Sequence, residues 1–160
     1  MSQHRVRAER RIDAPVEDVW AVVDDTSRYA EWVDGCLEMT HHHGNAAVGS
    51  TYGERNSTLG PLTATTTWTV LEVEPRARRV DGGEGLAPLR DFRNVFTFTP
   101  TSDGRGTLMT YEVTFRLALG PLGRVLAAVL GRSLPQEFQR SMQNLDTLLR
   151  SERPLPRDAR

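Results

Sequence analysis

Residues 4–12 alternate: Val6, Ala8, Arg10 and Ile12 share one face, and Arg5, Arg7, Glu9 and Arg11 share the other. That period of two is the signature of a strand with one covered side. The period then changes. Val16, Val19, Trp20 and Val23 recur at steps of three and four, which predicts a short helix over 15–24 with one apolar stripe. Asp13 is placed to cap it, Pro15 suits its first turn, and Glu17 and Asp18 favour the positive end of its dipole. A second short helix is expected over 27–33, capped by Thr26 or Ser27 and carrying Trp32.

Strands resume over 36–43, which ends at His41-His42-His43-Gly44-Asn45, and over 49–57, which is closed by the turn signal Leu59-Gly60-Pro61. In the stretch from Leu62 to Glu74, the residues Leu62, Ala64, Thr66, Trp68 and Val70 share a face, but Leu71 and Val73 fall on the opposite one. A bulge near Val70 would restore the register, and one is predicted there. A glycine-rich strand follows over 79–86. Phe92, Asn94, Phe96 and Phe98 then alternate with Arg93, Val95 and Thr97, and Met109, Tyr111, Val113, Phe115 and Leu117 form the matching row after the turn at Ser102 to Gly106. Such clean alternation points to an antiparallel sheet with one wet face. A helical stripe runs from Leu122 to Leu149, and Pro135 predicts a kink or a division near Gly131. The expected layout is one domain over 1–152 and a flexible tail over 153–160, with no internal repeats.

Composition removes several chemistries. All 20 basic side chains are arginine, and with no lysine there is no Schiff-base chemistry and no P-loop. A net charge of −1 gives no bulk attraction to nucleic acid. Cys36 is the sole cysteine, so an internal disulfide or a cysteine-based zinc site is excluded. The charged opening residues hold no apolar run, so neither a signal peptide nor a membrane span is expected, and a cytoplasmic protein is the plain reading.

Seven strands, two small helices after the first strand and one long helix at the end favour an α+β arrangement in which the sheet curls around the terminal helix. A curved sheet cannot touch a straight helix along its whole length. Where inward residues are small, such as Ala8, Ala64, Thr66 and the glycines at 82, 83 and 85, a hollow is expected, with walls from Trp68, Phe96 and Tyr111.

Several segments resemble the polyketide cyclase/dehydrase and lipid-transport families of the START-like, Bet v 1-like (SRPBCC) superfamily. They are the Ile12-Asp13-Ala14-Pro15 opening with Glu17 and Val19-Trp20, Trp32, Val48-Gly49, the strand end Val70 to Pro75, Gly106-Thr107 and Gly120-Pro121-Leu122-Gly123. The resemblance spans about residues 4 to 150 and implies a helix-grip fold, a deep hydrophobic pocket, and members that bind, carry or cyclise apolar molecules. Fold likeness alone does not transfer chemistry.

The candidate ligand-binding residues are Trp32, Tyr52, Glu54, Trp68, Asn94, Phe96, Tyr111, Phe138 and Met142. The resemblance places Tyr52 inward, and Glu54 and Asn56 share its parity. An inward Glu54 would serve as an acid or base. Because strand 49–57 alternates poorly, a solvated rim is the preferred position for it. Asn94 interrupts an aromatic row and needs a partner, either a ligand, water, Tyr111 or a structural hydrogen bond. The Tyr111 hydroxyl either enters the hollow or bonds to backbone. Arg10 is expected to reach the sheet margin and pair with a carboxylate. The aromatic cyclases of the resembled family use a pocket arginine, and none is matched here, since Arg55 and Arg93 fall on the wet faces. Neighbouring strand residues diverge, so the histidine triplet reads as an exposed turn and no metal site is assigned.

The leading function is binding of a small hydrophobic or aromatic ligand, with no cofactor. The alternatives are polyketide-type cyclisation or dehydration in the same hollow, using Glu54, Asn94 or Tyr111, and an interaction module with a filled core. Residues 117–134 carry only Arg124 and Arg132 as charges. A pocket cap ranks first for that stretch, ahead of a homodimer contact or a membrane surface, and no integral membrane association is expected.

Overall fold

The computed structural model describes residues 2–58 and 61–154. The turn expected at Leu59-Gly60 and the tail from residue 155 onward lie outside the described residues. Strand β1 (Gln3–Ile12) leads into α1 (Val16–Asp24), a 3-10 turn (Thr26–Arg28) and α2 (Tyr29–Trp32). Six strands follow: β2 (Cys36–His41), β3 (Thr51–Ser57), β4 (Thr63–Glu74), β5 (Arg78–Glu84), β6 (Leu89–Pro100) and β7 (Thr107–Leu117). The chain then enters α3 (Gly120–Glu152). All seven strands form one antiparallel sheet in the order β1-β7-β6-β5-β4-β3-β2. The helix-grip architecture expected from the element order is present.

The helix starts differ from the sequence reading. Pro15 itself sits at the N-cap of α1, which has no side-chain cap. Asp13 is drawn away: its backbone N–H donates to Asp146 Oδ1 at 2.9 Å, tying the end of β1 to α3. Asp25, not Thr26 or Ser27, caps the next turn, accepting from the Ser27 N–H at 3.0 Å. The bulge in β4 is where parity required it, as pairing with β5 shifts between Val70 and Glu72. Val70 stays buried while Leu71 turns outward.

Helix α3 is a single 33-residue element that continues through Pro135, so it is not divided near Gly131. An interior proline costs about 3 kcal/mol. Packing on both sides of it offsets that cost: Leu130 and Leu134 lie against the core before it, and Phe138, Met142, Leu145 and Leu149 are buried after it. The outer flank of the same helix is bare, with Leu122 73% exposed and Val125 63% exposed. Among the described residues no helix is long and apolar enough to cross a membrane.

Candidate functional site

Between the inner faces of β3, β4, β6 and β7 and residues 130–138 of α3, the packing leaves a hollow of about 250 Å³. An apolar cavity of roughly 150 Å³ holds benzene, so this one admits a small body of one or two rings. Ala64 lines it, as small inward residues predict, but the glycines do not create it. The Trp68 indole lies flat over Gly83, where a Cβ would meet ring carbons at 2.7 to 3.0 Å. Gly82 is covered by Leu71, and Gly85 occupies a turn at φ +90°. The glycine space is therefore filled by tryptophan, which becomes a wall of the hollow. Gly83→Ala is expected to push the indole off its seat and lower stability by about 1–3 kcal/mol, as overpacking does. An unshifted indole N–H resonance in that variant would contradict this placement.

Five of the nine candidate residues line the hollow: Glu54, Trp68, Asn94, Tyr111 and Phe138. Glu54 is not at a solvated rim. It is 5% exposed, and its Oε1 accepts from Trp68 Nε1 at 2.8 Å and from Asn56 Nδ2 at 3.2 Å. Its Oε2 is buried without a hydrogen-bond partner among the described residues. Tyr111 stacks on Phe138 with ring centroids 4.1 Å apart. Burial pushes the Tyr111 phenol well above its ordinary range, and the Tyr29 and Glu54 charges act in the same direction. The hydroxyl is therefore a donor at any physiological pH. Asn94 makes no side-chain hydrogen bond among the described residues and presents its amide to the hollow.

The other four lie behind that surface. Trp32 is sealed between Tyr29 and Phe96, at centroid distances of 5.4 and 6.0 Å. Phe96 and Met142 are fully enclosed in the core. The Tyr52 hydroxyl donates to Asp81 Oδ2 at 2.6 Å. Arg10 does not line the hollow and forms no ion pair among the described residues, and its Nε is buried without an acceptor. The expected margin carboxylate does not reach it. Arg55 is on the outer face as expected, paired with Glu38 at 2.8 Å.

The sequence reading missed Asp34, Asn56 and Glu137 on the hollow's lining. Parity with Glu54 marks Asn56, and Glu137 stands three residues from Leu134 on the same helix face. Burial, and then the neighbouring Asp34 charge, raises the Glu137 carboxyl above the usual range, with Arg140 opposing. Cys36 is likewise pushed up by burial and by the Glu54 charge.

A second polar cluster was missed altogether. Arg79 and Asp81 are both completely buried, with Arg79 Nη2 to Asp81 Oδ2 at 2.6 Å. Arg79 also donates to the Val23 carbonyl at 2.6 Å, the Tyr29 hydroxyl at 2.6 Å and the Tyr52 hydroxyl at 3.1 Å. Burial works against the guanidinium charge, but Tyr29, Tyr52 and Asp81 together hold it protonated. Every guanidinium nitrogen has an acceptor within the cluster, so it fastens α1 and α2 to β5. Among the described residues no three His, Cys, Asp or Glu side chains are placed to hold a metal ion.

Comparisons with known proteins agree with this architecture. The chain superimposes on TTHA0849 from Thermus thermophilus with a TM-score of 0.73 at 18% identity, covering 94% of this chain and 100% of that one. It matches the Zhui aromatase/cyclase from a Streptomyces species with a TM-score of 0.74 at 15% identity, covering 93% and 94% of the two chains. A protein from Arthrobacter aurescens gives a TM-score of 0.70 at 16% identity, covering 98% and 92%. At these identities the likeness concerns the fold. No curated protein matches the chain in sequence. The profile of the family described as polyketide cyclase/dehydrase and lipid transport, however, matches residues 3–150. With that match running from β1 almost to the end of α3, the chain belongs to the polyketide cyclase/dehydrase and lipid-transport family.

Proposed function

We propose that this protein binds a small hydrophobic or aromatic molecule in the hollow between the sheet and α3. One observation supports the reading above the rest. An unfilled space of about 250 Å³ has walls of Trp68, Phe92, Val113 and Phe138, with Glu54, Asn94 and Tyr111 among the polar groups facing the same volume. An apolar enclosure with a few convergent polar groups is the usual form of a ligand site. Burying a few hundred Å² of ligand surface at about 25 cal/mol per Å² supports micromolar affinity. Trp68 reports on occupancy: titration with a naphthalene-sized probe should quench its fluorescence saturably and raise Tm. Linear, non-saturating quenching with no change in Tm would end the proposal.

The convergence of Glu54, Asn94 and Tyr111 also supports a catalytic reading within the same family. A carboxylate with one free oxygen can move a proton, while the amide and phenol orient an enolate. In that case Glu54→Gln lowers turnover of a polyketide-like substrate at least about a hundredfold, within the range of general acid–base catalysis. Unchanged turnover dismisses Glu54 as the base.

A further inference from the structure

We infer that the hollow selects an apolar amine, taking its ammonium group on the unpartnered oxygen of Glu54, and disfavours carboxylate-bearing apolar acids. This rests on the binding reading above and specifies its ligand class.

Three features support it. Glu54 is 5% exposed, and its Oε1 is held by Trp68 and Asn56 while Oε2 has no partner. The Cys36 thiol, 3.9 Å from the Glu38 carbonyl, also lies close enough to the Glu54 carboxylate to be pushed up by it, but a thiol is a weak donor and leaves that oxygen open to a stronger one. A buried acceptor without a donor is costly, and a ligand N–H placed there removes that cost. The carboxylate is already desolvated and oriented by the fold, so the ligand bears only its own desolvation.

The remaining charges around the hollow have one sign. Asp34 and Glu137 line it with Glu54, and among the described residues no arginine does. Arg140 lies beside the mouth but is engaged by Asp34 at 2.7 Å. Arg79 is sealed in its own cluster with Asp81, Tyr29 and Tyr52. The Glu137 carboxyl is raised first by burial and then by the Asp34 and Glu54 charges, with Arg140 opposing. An incoming carboxylate meets only neutral donors, such as the Asn94 amide and the Tyr111, Ser57 and Thr58 hydroxyls, and faces the acids as well. The aromatic faces of Trp68 and Phe138 add a further preference for a cation, through attraction to the ring quadrupole.

The test compares three isosteric probes on the full chain at neutral pH: naphthylmethylamine, naphthylmethanol and naphthoic acid. Calorimetry or Trp68 fluorescence should show the amine binding roughly 10- to 100-fold tighter than the alcohol, the range of a charge-assisted hydrogen bond. The acid should bind more weakly than both. Glu54→Gln should abolish the amine's advantage over the alcohol, with circular dichroism checking the fold. The wild-type rank order stands as a test even if that variant does not fold. If the alcohol or the acid binds as well as the amine, the inference fails while the hollow remains a binding site. If none of the three binds, the binding reading fails and takes the inference with it.

Discussion

Arg79→Met is expected to be the most damaging single substitution in the chain, removing about 3–5 kcal/mol of stability. The side chain is fully enclosed and ion-paired to an equally enclosed Asp81. Taking away the guanidinium strands a carboxylate in the interior and frees the Val23 carbonyl. The two phenols, of Tyr29 and Tyr52, lose their common donor. Methionine fills most of the volume, so the loss measures charge and hydrogen bonding rather than a void. For a domain of this size the corresponding fall in Tm is roughly 6–20 °C. Asp81→Leu should be comparably harmful alone, since it leaves the cation unpaired. The double variant should recover part of the loss, because an apolar pair of similar volume often matches a buried ion pair. Urea denaturation of the three variants checks this, and single losses below about 1 kcal/mol would show that water reaches the cluster.

That cluster also shows where the sequence stops being legible. The face of each side chain could be read wherever alternation was clean: the inward rows of β6 and β7 follow from Phe92 to Phe98 and from Met109 to Leu117, and the β4 bulge follows from the parity break at Leu71. Depth could not be read. Tyr52 and Phe96 point inward but are covered by Tyr29 and Trp32 of α2, at centroid distances of 4.9 and 6.0 Å, while their cross-strand neighbours Trp68 and Tyr111 border the hollow. Which neighbour is covered depends on how a short helix packs, and no local pattern encodes that. Arg79 and Asp81 are polar positions in a glycine-rich strand, and their burial is made tolerable by their mutual pairing, the Tyr29 and Tyr52 hydroxyls and the Val23 carbonyl, which come from three other elements. Glu54 was obscured by Gly53, which interrupts the alternation of β3. The structure gives the reason: a Cβ there would fall 2.4 Å from the Thr40 hydroxyl and 2.5 Å from the His41 ring. Pro135 does not divide α3 for the opposite reason: apolar packing before and after it overrides a strong local breaker.

Phe138→Ala is expected to have the second-largest effect, and it links stability to ligand size. Phe138 is 3% exposed and is sandwiched onto Tyr111, which in turn meets Phe96 at a centroid distance of 4.7 Å. It is the residue where α3 is pinned to the sheet beside the hollow. Removing the ring costs roughly 3–5 kcal/mol by the usual rule for a core phenylalanine. The low end is expected here, because the new space is continuous with a cavity that already exposes Asn94 and Glu54 and can admit water. The enlarged hollow should then accept a ligand one ring bigger than the wild type tolerates. Because a ligand present at about 100 times its Kd adds about 2.7 kcal/mol, an anthracene-sized amine should restore much of the lost stability in the variant and do little for the wild type. Thermal shifts of both proteins with two- and three-ring probes decide the matter. If the variant loses stability but the size preference does not move, Phe138 anchors the helix without forming the wall of a ligand site.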